Sequence, residues 1–187
     1  VPAALLVVLA AGGGSRYEGA THKLLAPFGG ETVIRCSVRA ALDSGAGPVL
    51  VVSGSVDDLG LGDLDVTVRH NERWGDGQAT SVQIGIAHAT ELGAEAVVVG
   101  LGDQPLVGPD AWRLVAGAGA GPIVTASFGG ERRPPVRIDR LAWPLLPTSG
   151  DEGARATMRE HQDLVTAVEV PGTPVDIDTA DDLVRWS

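Results

Sequence analysis

The chain has 187 residues, a length that suits one domain with one buried core, and its 44% hydrophobic and 20% charged residues fit a globular protein and argue against disorder. Asp and Glu number 24 against 14 Lys and Arg, so the formal net charge of -10 disfavours nucleic acid and anionic membrane surfaces as partners. The single cysteine, Cys36, excludes an intrachain disulfide and a cysteine-rich metal site, and fits a reducing cytoplasm as the expected location.

Ala4 to Leu9 is a short apolar run containing valines. It resembles a signal-peptide core but lacks a basic leader, and it is far shorter than the about 18 to 20 residues of a membrane span. It is therefore read as a first strand buried on both faces. PVLVVSG (Pro48 to Gly54) and AVVVGLGD (Ala96 to Asp103) repeat this character. Between them, Glu31 to Gly45 puts Ile34, Val38 and Leu42 on one helical face, and Ala79 to Gly93 does the same with Val82, Ile86 and Ala89. A further helix near Pro109 to Ala118 and a strand at Pro122 to Phe128 extend the alternation, which predicts an α/β fold with a mostly parallel sheet and right-handed crossovers. After Phe128, GGERRPPVRI reads as a turn followed by an extended, Pro-rich segment, and Leu141 to Leu146 as a short apolar turn or helix. Residues from about 129 to 178 are expected to form a small insert beside the site and a closing strand. The end, TPVDIDTADDLVRWS, predicts that short strand and a helix capped by Asp178 or Thr179, with Asp181 and Asp182 in its first turn. With no long linker or repeat, one domain is expected over 1–187.

LAAGGGSRYEGATHK, from Leu9 to Lys23, follows the first strand. Ligands collect at the carboxyl ends of α/β strands, where a loop of small residues such as Gly12, Gly13, Gly14 and Ser15 brings backbone N–H groups close to phosphate oxygens. Arg16 and Lys23 add fixed positive charge. The alternative is an ordinary glycine turn with two solvated cations. A Walker loop is excluded because Lys23 is followed by Leu24 and Leu25. The dinucleotide fingerprint fails because Tyr17 stands where its third glycine belongs and PVLVVSG ends without an acidic residue.

The string L-A-A-G-x-G-S-R-x-x-G-x-x-x-K-L-L from Leu9 to Leu25, joined to G-D-Q-P at Gly102 to Pro105, resembles the MobA-like nucleotidyltransferases, and most closely their molybdenum cofactor cytidylyltransferase branch. Three further strings extend the resemblance over nearly the whole chain: N-x-x-W-x-x-G-x-x-x-S-V-x-x-G from Asn71 to Gly85, S-G-D-E-G-A-R from Ser149 to Arg155, and D-I-D-T-A-D-D-L from Asp176 to Leu183. The resemblance implies a Rossmann-like three-layer α/β/α fold. It also implies binding of a nucleoside triphosphate with Mg2+ and transfer of a nucleotidyl group to a terminal phosphate. Molybdopterin is then the implied acceptor and a recipient molybdoenzyme a further partner. The cytidylyl branch tends to read Leu-Ala-Ala-Gly, so Leu9, Ala10, Ala11 and Gly12 favour CTP over GTP, with the Ala11 methyl narrowing the space beside the base.

Within that frame Asp103, emerging after a buried strand, is expected to ligate Mg2+, a metal that takes hard oxygen ligands beside substrate phosphates. Asp178 is expected either as the second metal ligand or as a helix cap. Ser81, Asn71 and Gly77 lie in a segment opening a helix, where they hold base or ribose or serve the helix itself. Arg16, Lys23 and Asp103 are the expected catalytic residues. His22, His70, His88 and His161 lack the helical spacing of a zinc site. Trp74, Trp112, Trp143 and Trp186 read as packing residues, Trp74 alone sitting in a site loop; Cys36 reads as a small hydrophobe. Relatives often carry G-H-P-V where Arg133-Pro134-Pro135-Val136 stands here, so Arg132, Arg133 and Arg137 are expected to meet an anionic acceptor. The rival functions are a sugar-1-phosphate nucleotidyltransferase and a non-catalytic carrier of the cofactor.

Overall fold

A computed structural model of the chain describes residues 3–15, 17–19, 21–119 and 121–187. Arg16 lies outside the described residues. In chain order the elements are β1 (Ala4–Ala10), a small hairpin of β2 (Pro27–Phe28) and β3 (Glu31–Thr32), α1 (Val33–Asp43), β4 (Val49–Ser53), β5 (Thr67–His70), α2 (Gln78–Leu92) and β6 (Ala96–Leu101). There follow α3 (Pro109–Gly117), β7 (Ile123–Phe128), β8 (Glu131–Asp139), α4 (Ala154–Glu160), β9 (Val165–Glu169) and α5 (Ala180–Trp186).

Seven strands form one sheet in the order β5-β4-β1-β6-β8-β7-β9. β1 is parallel to both β4 (Leu6 opposite Val49) and β6 (Leu6 opposite Val98), whereas β8 runs antiparallel to both β6 and β7. Alternate β1 residues feed two cores. Leu6 and Val8 pack in one with Ile34 and Val38 of α1 and Trp112 of α3; Leu5, Val7 and Leu9 pack in the other with Val82 and Ala89 of α2 and with Trp143. This is the three-layer α/β/α arrangement, with helices covering both faces of a mostly parallel sheet. No helix among the described residues is long and apolar enough to cross a membrane.

Two expectations are corrected, one pair of alternatives is resolved and three elements are added. The Pro-rich segment, expected as an extended stretch of an insert beside the site, is extended but belongs to the main sheet as β8, an internal strand. Its register passes from Val136 opposite Thr125 to Arg133 opposite Ala126, so Pro134 and Pro135 fall in an irregularity where neither has a partner in the ladder. Residues 173–178 form no strand, because both edges of β6 are already taken by β1 and β8; the segment crosses the strand end instead, with Ile177 N donating to Asp103 O at 2.9 Å. The last helix is capped by Thr179, whose hydroxyl accepts from Asp182 N while the Asp182 carboxylate accepts from Thr179 N; Asp178 is not the cap. β5, α4 and β9 are additional elements. β5 is exposed along its whole length, so it carries no apolar period to read.

Candidate active site

The carboxyl ends of β1 and β6 are tied together by a bond from Gly102 N to Leu9 O at 2.9 Å, and the glycine-rich loop leaves from there. A side chain at Gly54 would put its Cβ 2.7 Å from the Ala11 Cβ and the Trp74 Cβ, so the close approach of three segments depends on glycine at that point. His22 fixes the loop from below. Its Nε2 lies 3.2 Å from the Gly12 carbonyl, which only accepts, and its Nδ1 accepts from Leu24 N at 3.3 Å, so the ring is neutral with its proton on Nε2. Burial is the largest influence on His22 and holds its pKa below the ordinary histidine value. Ser55 Oγ donates to the same Gly12 carbonyl at 2.7 Å.

Lys23, next in the chain, is fixed at its root by the turn that His22 caps. Its Nζ donates to Asp103 Oδ2 at 2.7 Å and to Asp178 Oδ1 at 2.8 Å. Burial, the largest single influence, would lower the Lys23 pKa, but the two carboxylates together outweigh it and hold the pKa above the ordinary lysine value. Thus the 173–178 segment, although not a strand, delivers Asp178 to Asp103. Asp176 is turned elsewhere: it accepts from Gln104 Nε2 at 2.8 Å, and burial followed by the charge of Asp103 pushes its pKa up. Asp103 and Asp178 are a pair of hard oxygen donors already set about one cationic atom. No group of three or more His, Cys, Asp or Glu side chains suited to a metal occurs among the described residues.

A cavity of about 340 Å³ opens here. Residues 9–14, Lys23, Gly77, Ser81 and Asp103 line it, as do Trp74, the one tryptophan expected in a site loop, and Asp151, which carried no assigned role in the sequence reading. Ser15 is exposed and outside this lining, and Asn71 stands behind it. The Asn71 side chain, 2% exposed, donates to Thr80 Oγ1 and Ser81 Oγ at 2.8 Å each and accepts from Arg73 N at 2.9 Å, pinning the loop that carries Trp74 to the start of α2. Gly77 has φ +104°, and a Cβ there would stand 2.3 Å from the Gly150 carbonyl carbon. That close approach, sealed by bonds from Ala79 N to Gly150 O and from Gly150 N to Asp76 O at 2.9 Å each, brings the 149–155 string to the site.

A second cavity of about 470 Å³ shares Leu9, Gln78 and Leu101 with the first. Its wall is largely apolar, with Val82, Val99, Met158 and Val165, and its charged residues are Arg132 and Arg133 of β8, Glu152, and Arg155 and Arg159 of α4. Arg159 is neutralised by both Glu152 oxygens (3.0 and 2.7 Å), and Arg133 by Glu131 (2.8 Å) and Asp176 (3.6 Å). The guanidinium groups of Arg132 and Arg155 make no hydrogen bond or ion pair among the described residues. Arg137, expected to meet an acceptor, lines neither cavity; it ion-pairs with Asp139 and donates to Ala118 O at 3.1 Å. Arg155 falls at the end of the S-G-D-E-G-A-R string but had no role assigned, and Arg159 escapes notice, because the Gly77–Gly150 contact that helps bring α4 to the site joins segments distant in the chain.

Residues 6–165 match the MobA-like NTP transferase domain. The chain is 30% identical over 199 residues to the purine catabolism protein PucB of Bacillus subtilis, covering 97% of this chain and 96% of that protein. Among solved structures, a nucleotidyl transferase from Methanothermobacter is similar with a TM-score of 0.80 and 27% identity, over 97% of this chain and 94% of that one. The Rv0371c protein of Mycobacterium tuberculosis in complex with manganese is similar with a TM-score of 0.78 and 26% identity, over 98% and 97% of the two chains. With the domain matched across most of its length and its strands and helices in the arrangement of solved nucleotidyltransferases, the chain belongs to the MobA-like NTP transferase family and is a nucleotidyltransferase.

Proposed function

We propose that the chain transfers a cytidylyl group from CTP to the terminal phosphate of molybdopterin, with Mg2+ as the metal and pyrophosphate as the leaving group. The observation that carries this reading is the pair of adjoining cavities, one walled by the glycine loop with Lys23 and Asp103 and the other by arginines on an apolar wall. In this reading the triphosphate lies against the backbone of Gly12, Gly13, Gly14 and Ser15, and Lys23 together with Arg16 offsets its charge. The Ala11 methyl and Ser81 bound the base and ribose, while Asn71 and Gly77 act through the loop they hold. Asp103 and Asp178 would hold Mg2+, and the donor chemistry fits, since Mg2+ takes one or two carboxylates alongside substrate phosphates. Bound there, the metal supplies charge neutralisation at the phosphate oxygens.

An oxygen of the acceptor phosphate attacks the α-phosphorus in line as the bond to the β-phosphate oxygen breaks. The acceptor phosphate is ionised near neutral pH, so positioning and charge neutralisation carry the rate and no general base is required. The apolar wall of the second cavity favours a ring-bodied acceptor over a polyol, which would need several hydrogen-bonding groups for its hydroxyls. Arg132 and Arg155 are the cations left to bind its anionic group. Release of the product to a recipient molybdoenzyme completes the reading.

Pyrophosphate release tests this reading, measured with CTP or GTP, Mg2+, and molybdopterin or N-acetylglucosamine-1-phosphate. CTP with molybdopterin is expected to give the highest kcat/KM, and Ala11→Gly to relax the preference for CTP. Faster release with the sugar phosphate would assign a sugar-phosphate acceptor instead. Binding of molybdopterin without release under any combination would assign a carrier.

A further inference from the structure

We propose that Lys23 is a built-in stand-in for the metal: its ammonium occupies the space between Asp103 and Asp178, and it leaves them only when a triphosphate offers it another anion. The inference rests on the reading of these two carboxylates as the metal ligands. Three observations carry it. One oxygen of each carboxylate is already engaged by Nζ, at 2.7 and 2.8 Å, so a cation approaching both acids meets a positive charge at hydrogen-bond range. The Lys23 side chain is only 11% exposed, which holds the ammonium in place. The lysine is also built to change partner, because its backbone is fixed by the His22 cap while its flexible stem runs past the glycine loop. Lys23 Cγ lies 3.4 Å from where a Cβ on Gly14 would stand. A modest swing about the stem therefore carries the ammonium from the carboxylates toward the loop read as the triphosphate site.

The consequence is ordered occupancy. Without nucleotide the acids are satisfied by Lys23 and hold divalent metal weakly; a triphosphate draws the lysine away and frees their oxygens in the same step. Metal and nucleotide binding are then positively coupled through one side chain, and reciprocally so.

Binding of Mn2+ to the full chain without nucleotide or acceptor, read from the electron paramagnetic resonance signal of free Mn2+, tests this. Lys23→Ala is expected to bind Mn2+ about tenfold more tightly than the unaltered chain. Lys23→Arg, which keeps a cation, is expected to stay weak, and Lys23→Ala combined with Asp103→Asn to lose the gain. Lys23→Gln, close to lysine in length and still a hydrogen-bond donor, repeats the measurement should the alanine variant not fold. Equal or weaker Mn2+ binding in the folded neutral variant overturns the proposal, as does a gain that survives Asp103→Asn. Because no nucleotide or acceptor is present, this outcome is independent of whether pyrophosphate is released, and the two readings fail separately.

Discussion

The two cavities are built by opposite means. The first sits where the parallel strands β1 and β6 end, and much of its wall is small residues and main chain, residues 10–14 and Gly77, with Lys23, Trp74, Asp103 and Asp151 adding side chains. The second draws its charged groups from β8, the strand that breaks the parallel order, and from α4, a seven-residue helix held by its leading loop. A main-chain wall suits what every nucleoside triphosphate shares, since backbone amides are present whatever the side chains. A wall of side chains suits an acceptor that differs between related enzymes, because it changes by substitution without disturbing the sheet. The contrast explains why the strings assign roles to residues of the first cavity, whereas Arg132, Arg133 and Arg155, which reach the second, depart from the family pattern or carry no assigned role.

The sharpest way to break this division is Asp103→Ala, which is expected to lower kcat by roughly 10³, about 4 kcal/mol of barrier, with the fold intact by circular dichroism. A near-normal rate would remove the first cavity from the chemistry. Next in size, Arg132→Ala and Arg155→Ala are each expected to raise the acceptor KM about tenfold or more, the worth of a charged hydrogen bond of about 1.5 to 3 kcal/mol, with the CTP KM unchanged. A rise in the CTP KM instead would erase the boundary between the cavities.

Acidification tests the support beneath the glycine loop. His22 titrates below the ordinary value of 6.5 in the folded chain, so between the two values the unfolded chain binds more protons. Its contribution to stability is therefore complete above pH 6.5 and is lost as pH falls through the folded value. Protonated Nδ1 can no longer accept from Leu24 N. Nucleotide affinity is expected to fall about fivefold below that point, the worth of one hydrogen bond of about 1 kcal/mol. An equal fall in acceptor affinity, measured separately, would show that the loop serves both cavities. Smallest of all, Thr179→Ala is expected to cost about 1 kcal/mol, lowering Tm by about 3 °C without altering kcat, because the cap and the site are neighbouring residues with separate tasks. Asp178→Asn is its complement: unchanged Tm with an altered metal dependence.

Much of the frame is local and was legible. β1, β4 and β6 are apolar runs because they are buried on both faces, α1 and α2 carry apolar faces, and Gly12 to Gly14 mark a loop in which Gly14, with φ +60°, requires glycine's conformational freedom. Nothing local marks β5, a fully exposed edge, or β8, whose two prolines argue against a strand until the pairing with β7 leaves them outside the ladder. Asp103 and Lys23 could be named from their neighbours in the chain, but they stand 80 residues apart and meet only in the tertiary fold, and Asp178 joins them because 173–178 crosses the end of β6. The expected strand is absent because β6 has no free edge, and of the two caps expected for the last helix Thr179 takes the place while Asp178 turns to Lys23. Composition and periodicity determine which segments are buried, since that depends on each residue's own solvation. Which carboxylates share a cation, and which arginines face a cavity, depend on pairings between distant segments, and the tertiary structure alone decides those.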